Sequence, residues 1–204
     1  MIQLASLRIL QEMIKLTKKA KKQSDVDERI IIAGFGGQGV MLLGKILAQS
    51  AMQTGLNVTW IPKYGAEVRG GTAHCMVRIA SRQVASPLVV HPTSLIVLNK
   101  PSLRKFEQTT APDARIIVNE SLIDDKVTRT DVAAYYVPCT QMASDLGAVR
   151  GANMIALGAL MAAWKFIISL DTVKAAIREI LPLYRHKYIP LNQKALDLGA
   201  QFVS

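Results

Sequence analysis

Cysteine is scarce in this 204-residue sequence: there are two, Cys75 and Cys139, far apart in the chain. They form no CxxC pair, so the spacing argues against an iron–sulfur cluster or structural zinc held by this chain alone. A reducing compartment disfavours a disulfide between them. Histidine is equally thin. His74, His91 and His186 stand apart, and no HExxH or comparable metal-ligand spacing occurs. Long apolar runs are missing too. The best candidate, Gly151 to Phe166, is interrupted by Asn153 and carries Lys165, and it falls short of the roughly 20 residues a membrane helix needs. At the N-terminus Gln11, Glu12 and Lys15 break the apolar pattern that a cleavable signal requires. These absences lead to the expectation of a soluble, cytoplasmic chain.

Half of the residues are hydrophobic and 20% are charged, which is enough for one well-packed domain and too little charge for extensive disorder. The formal net charge is +10. A basic surface suits phosphorylated cofactors, acidic protein partners or nucleic acid alike, or simply keeps a protein in solution. No RNA- or DNA-binding signature accompanies it, so no nucleic-acid partner is expected. Residues 1–28 read as an appendage. On a helix, Leu7, Ile9, Leu10, Met13, Ile14 and Leu16 share one broad face, and Arg8, Lys15, Lys18, Lys19 and Lys22 fall on the other. Packing on its own domain or docking on a partner subunit is favoured over membrane contact. Ser24 to Glu28 then reads as a linker, and residues 29–204 as a single domain.

The domain opens on a short apolar run, Ile30 to Ala33, as a strand buried on both faces would. A glycine-rich turn follows, Gly34-Phe35-Gly36-Gly37-Gln38-Gly39. Val40 to Thr54 then reads as a helix with Val40, Leu43, Leu47 and Ala51 on one side and Gly55 as its stop. Val58 to Ile61 is the second strand. Strands are expected at Thr72–Ala80, Leu95–Leu98, Ile116–Val118 and Tyr135–Val137. Helices are expected at Pro101–Phe106, Asn153–Phe166, Asp171–Ile180 (capped by Asp171) and Pro190–Leu198. The alternation predicts an α/β protein, a Rossmann-like three-layer sandwich with a largely parallel sheet.

Gly34, Gly36 and Gly39 match G-x-G-x-x-G between a strand and a helix. Glycines let backbone N–H groups approach a phosphate, and the helix N-terminus adds partial positive charge. A nicotinamide site also needs an acid at the end of the second strand for the ribose hydroxyls. Asn57 to Lys63 contains none, and Glu67 comes too late. The motif is therefore read as a phosphate or cofactor-proximal loop of another kind, or as glycines serving only a tight turn.

A second unusual segment, Tyr64-Gly65-Ala66-Glu67-Val68-Arg69-Gly70-Gly71, follows about 25 residues later. The pair of motifs, in this order and spacing, resembles the gamma subunits of 2-oxoacid:ferredoxin oxidoreductases and the equivalent domain of single-chain pyruvate:ferredoxin oxidoreductases. Asn153 to Leu160 and Asn192 to Gly199 are similar to later stretches of the same family, and the resemblance covers about residues 29–200. It implies a non-redox subunit of a heteromeric enzyme that converts a 2-oxoacid, coenzyme A and oxidised ferredoxin into an acyl-CoA, carbon dioxide and reduced ferredoxin. It implies alpha-, beta- and, in some complexes, delta-type partners, with ferredoxin met only indirectly. Thiamine diphosphate and iron–sulfur clusters would lie in those partners, and coenzyme A at a shared site. The Tyr64–Gly71 loop looks closer to the 2-oxoglutarate type. An indolepyruvate:ferredoxin oxidoreductase subunit is the near alternative, and a stand-alone nucleotide-binding Rossmann protein the distant one.

No residue is expected to be catalytic in the isolated chain. The expected cofactor-binding residues are Gly34, Gly36, Gly37, Gln38, Gly39, Tyr64, Glu67, Arg69, Gly70 and Gly71. Arg69, among glycines, suits bidentate pairing with a phosphate or carboxylate, and Glu67 would orient it. An ordinary loop ion pair is the plainer account of both. Tyr64 offers a hydroxyl or a ring to stack on, or merely packs. Gln38 can donate and accept where the turn leaves room. Lys45 reads as solvent-facing. Strand alternation sends His74 and Cys75 to opposite faces, so they make no Cys–His pair, and Cys75 reads as core. Asn153, opening an apolar helix, reads as a cap or a buried hydrogen-bonding group.

Overall fold

The computed structural model describes residues 26–64, 72–148, 150–164 and 168–204. The basic appendage expected at residues 1–28 lies almost wholly outside the described residues, as does the segment 65–71. Strand β1, Asp27–Phe35, is buried from Ile30 to Gly34. Its first two residues, Asp27 and Glu28, were expected in the linker and instead pair with Ala80 and Ile79 of the neighbouring strand. Helix α1, Val40–Gln53, buries Val40, Leu43, Leu47 and Ala51 along the expected side. Gly55 follows at φ 79°, in the left-handed region that lets a glycine end a helix.

The remaining strands are β2 (Asn57–Tyr64), β3 (Thr72–Ala80), β4 (Ser94–Val97), β5 (Arg115–Asn119) and β6 (Ala133–Val137). They form one six-stranded sheet in the order β2-β3-β1-β4-β5-β6. β1, β4, β5 and β6 pair in parallel, and β3 runs antiparallel to both β1 and β2. Only β3 opposes the common direction, so the sheet is largely parallel. The opening unit nevertheless differs from the expected one. β2 is not the neighbour of β1; β3 lies between them. β2 is also longer than expected and takes in Pro62, Lys63 and Tyr64. A proline inside a strand is tolerated here because β2 is at the edge of the sheet.

Five more α-helices lie among the described residues: α2 (Lys100–Phe106), α3 (Cys139–Asp145), α4 (Ala152–Trp164), α5 (Leu170–Ile180) and α6 (Ile189–Val203). α3 was not foreseen, because its seven residues are too short for a periodic signal. Ser169, not Asp171, caps α5: its hydroxyl accepts from the Thr172 amide, and Asp171 sits in the first turn. Side-chain alternation along the strands divides the core in two. Ile30 and Ile32 face a large cluster with α1, α4, α5 and α6; Ile31 and Ala33 face a smaller one with Leu103 and Phe106 of α2. The result is three layers of unequal thickness. α4 is buried without interruption from Asn153 to Met161, as a helix that is apolar all round must be. No helix among the described residues is long and apolar enough to cross a membrane.

Candidate functional site

The glycine turn leaves the C-terminal end of β1 and enters α1. Gln38 determines its shape. Its Oε1 accepts from the Phe35 amide at 2.6 Å, and its Nε2 donates to the Leu98 carbonyl at 3.0 Å. The side chain thus ties the end of β1 to the chain leaving β4. Gly34 makes room for it, since a Cβ there would stand 2.6 Å from Gln38 Oε1. Gly37 and Gly39 adopt φ 95° and 78°, where a side chain is strained. Gly36 and Gly37 have nothing within 4 Å of where a Cβ would point. α1 begins at this turn with no side-chain cap and no acid in its first turn. The turn therefore presents an open, side-chain-free backbone against the positive end of a 14-residue helix.

The second motif is anchored beside it. β2 ends at Tyr64 and β3 begins at Thr72, so both anchors of the segment 65–71 are described. In the sheet, Phe35 pairs with Thr72, and Ala73 pairs with Gly34 on one side and Tyr64 on the other. The chain therefore leaves and re-enters the sheet at the same end as the glycine turn. Phe35 and Tyr64 are exposed there, Tyr64 by 73%. Glu67, Arg69, Gly70 and Gly71 lie outside the described residues. The C-terminal ends of the parallel strands β4, β5 and β6 share this edge, where ligands of open α/β sheets gather.

Asn153, at the start of α4, supports the turn from behind. It is buried, and its Nδ2 reaches the Gly39 carbonyl at 3.5 Å while Oδ1 accepts from the Met154 amide at 2.9 Å. Asn153 also lines a cavity of about 400 Å³. Leu42 of α1, Asn153 and Met154 of α4, and Leu191 and Asn192 of α6 line it, together with Arg150. Sequence reasoning missed this cavity, because its walls come from three helices and two connections with no local motif.

His74 and Cys75 divide as expected. Cys75 is fully buried against α1, with burial pushing its thiol up to about 12; burial does the same to Cys139. His74 is on the other face, its ring 4.9 Å from that of Phe106. Burial, and then the charges of Lys105 and Lys63, hold it down to about 4. Lys45 is exposed, and its ammonium lies 5.3 Å from the centre of the Trp60 ring.

The geometry does not form a dinucleotide cleft. In such a cleft the strand beside β1 carries the acid that reaches the ribose. Here β3 takes that place, and β2 lies two strand spacings away, roughly 10 Å.

Comparison with known proteins bears on the same residues. A family model described as pyruvate ferredoxin/flavodoxin oxidoreductase matches residues 29–202. The ketoisovalerate oxidoreductase subunit VorA of Methanothermobacter thermautotrophicus is 38% identical over 174 residues, which is 85% of this chain and 36% of that protein. The chain thus spans about a third of the length of that curated relative. A keto/oxoacid ferredoxin oxidoreductase gamma subunit from Geobacter sulfurreducens superposes with a TM-score of 0.73 at 25% identity, covering 86% of this chain and 98% of that one. A 2-oxoglutarate:ferredoxin oxidoreductase from Magnetococcus marinus, solved with 2-oxoglutarate, coenzyme A and succinyl-CoA bound, gives a TM-score of 0.76 at 26% identity, covering 87% of this chain and 31% of that one.

Proposed function

This chain belongs to the pyruvate ferredoxin/flavodoxin oxidoreductase family, and from that premise we propose that it is the gamma-type, non-redox component of a complex that oxidatively decarboxylates a 2-oxoacid to an acyl-CoA and reduces ferredoxin. Alpha- and beta-type chains, with or without a delta-type chain, complete the complex in the cytoplasm. The chain's own part is to help hold coenzyme A beside the reacting centre. Thiamine diphosphate supplies the decarboxylation chemistry and iron–sulfur clusters the electron path, both in the partner chains.

One observation carries this reading: the glycine turn, at the uncapped N-terminus of α1, lies at the same end of the sheet as Tyr64 and Thr72, the two anchors of the second motif. A phosphate at that turn would receive backbone amides of Gly36, Gly37 and Gly39, the Gln38 amide being held by the Phe35 carbonyl, and the partial positive charge of the helix. Gln38 would act by holding the turn's shape through Phe35 and Leu98. Gly34 leaves Gln38 its space. Tyr64 would flank the ligand. Within the segment 65–71, Arg69 would pair with a phosphate or carboxylate, Glu67 would orient Arg69, and Gly70 and Gly71 would let the backbone approach.

The loop pattern favours 2-oxoglutarate as the oxoacid. The ketoisovalerate relative, at 38% identity, favours a branched-chain one. Both leave the substrate within one class, whose selection rests with the partner chains.

The test is affinity purification of the full chain from its native cells. Thiamine- and cluster-bearing chains should co-elute, and reduction of a viologen dye should require both a 2-oxoacid and coenzyme A. Arg69→Ala should lower acyl-CoA formation and leave assembly intact. A chain that elutes alone and whose own fluorescence is quenched by NAD(P)H would overturn the reading.

A further inference from the structure

We propose that the cavity lined by Asn153 binds a phosphorylated small molecule, with Arg150 and Arg185 on the phosphate and the apolar wall against the rest of the ligand. The inference rests on this chain's own residues and is separate from the role of the glycine turn.

Charge is the first argument. Ion pairs neutralise many cations of the described surface: Arg78 with Asp27, Lys100 with Asp124 and Asp125, Arg129 with Asp131, and Lys174 with Asp197. Arg150 and Arg185 both line the cavity, and neither meets a carboxylate among the described residues. Among the described residues, no acidic side chain lines the cavity. The guanidinium of Arg185 lies over the ring of Tyr184, 5.4 Å from its centre, a contact that leaves its in-plane N–H donors available. Two such forks on one concavity suit the bidentate geometry of phosphate oxygens.

Backbone polarity points the same way. α4, of 13 residues, and α6, of 15, both begin at this cavity, which Gly151 and Asn153 line at one helix start and Leu191 and Asn192 at the other. α6 has no side-chain cap and no acid in its first turn. The positive ends of both helices therefore add to the guanidinium charges. Size and wall chemistry select a small molecule over an exposed ion-exchange surface. A volume of about 400 Å³ lies in the range of small-ligand sites, and Leu42, Met154, Leu181 and Leu191 give it apolar walls. Tyr188, also on the wall, adds a half-exposed ring on which a flat group can stack.

The experiment uses the full-length chain, uniformly labelled with nitrogen-15, and titrates it with inorganic phosphate and then phenyl phosphate at constant ionic strength. Amide signals of Gly151 and Asn192 should move with both probes, and phenyl phosphate should bind the more tightly. Arg150→Gln and Arg185→Gln should each weaken phosphate binding about tenfold. Arg104→Gln, a change to an exposed arginine paired with Asp125 elsewhere, should leave it unchanged. Both cavity arginines are exposed, so the variants should keep the thermal midpoint of the parent. The proposal is overturned if the glutamine variants bind phosphate like the parent. Movement of only the Gly36 and Gly37 amides overturns it too, because it places the anion at the glycine turn. A response to an acidic peptide but to neither phosphate probe makes the cavity a protein dock and equally overturns it.

Discussion

The carboxamide of Asn153 reaches from the start of α4 to the carbonyl of Gly39, 3.5 Å away, and fills the space a Cβ on that glycine would need. One buried side chain thus fixes both the conformation of the turn and the identity of its last residue. Gly39→Ala should destabilise the chain by about 2–3 kcal/mol, from a strained positive φ and an overlap with Asn153. Adding Asn153→Ala should recover the overlap and leave the strain. Urea unfolding of both single variants and the double variant should therefore give a less than additive loss.

Gly158 and Gly199 make a second reciprocal contact. A Cβ on Gly158 would stand 2.9 Å from the Ala200 nitrogen and overlap the Leu196 carbonyl; one on Gly199 would stand 2.7 Å from the Ile155 carbonyl carbon. The backbones of α4 and α6 thus touch where they cross. The obstructing atoms are backbone, so no rotamer change relieves the clash. Gly158→Ala and Gly199→Ala should each cost about 3 kcal/mol or more, read from thermal or urea unfolding. An unchanged midpoint in either would show that the helices part easily.

His74 gives the fold a defined acid sensitivity. Its native pKa, about 4, lies below its ordinary value of 6.5. Between these values the unfolded chain binds a proton that the folded chain does not, so this contribution to stability rises with pH through the window. It is complete above about 6.5 and gone below about 4. Solvent screening at this partly buried site brings its size to the order of 1 kcal/mol. Urea midpoints from pH 4 to 7 should show the slope, and His74→Gln should flatten it.

Cys75 and Cys139 should resist alkylation in the folded chain. Both are fully buried, and burial pushes each thiol up to about 12. Almost no thiolate exists near neutral pH, and the thiolate is the reactive species. Iodoacetamide at pH 7.5 should leave both intact by mass spectrometry and modify both in urea. Rapid native labelling would mean that α1 or α3 opens readily.

Much of the fold was legible in the sequence because its signals are local. Ile30 to Ala33, Ile116 to Val118 and the apolar stretch after Asn153 each announce an element. The insertion of β3 was not legible. Nothing between Val58 and Ala80 says which strand pairs with which, and an edge proline was the single hint that β2 is not central. The glycine turn was found from its spacing, but the inward engagement of Gln38 depends on Leu98, which is distant in sequence. The Arg150–Arg185 cavity was invisible for a stronger reason. Its charges sit in two connections whose meeting requires α4 and α6 to pack first.

The antiparallel strand has a consequence for the order of assembly. Among the described residues, β1 finds hydrogen-bonding neighbours only in β3 and β4, and β2 only in β3. A nascent chain that has emerged no further than residue 71 therefore has no ladder to form, whatever α1 does. Emergence of Thr72 to Ala80 closes two ladders at once and converts three separate strands into the half of the sheet that carries both motif anchors. Translation pauses just before and just after that strand should thus have opposite effects on aggregation of the growing chain.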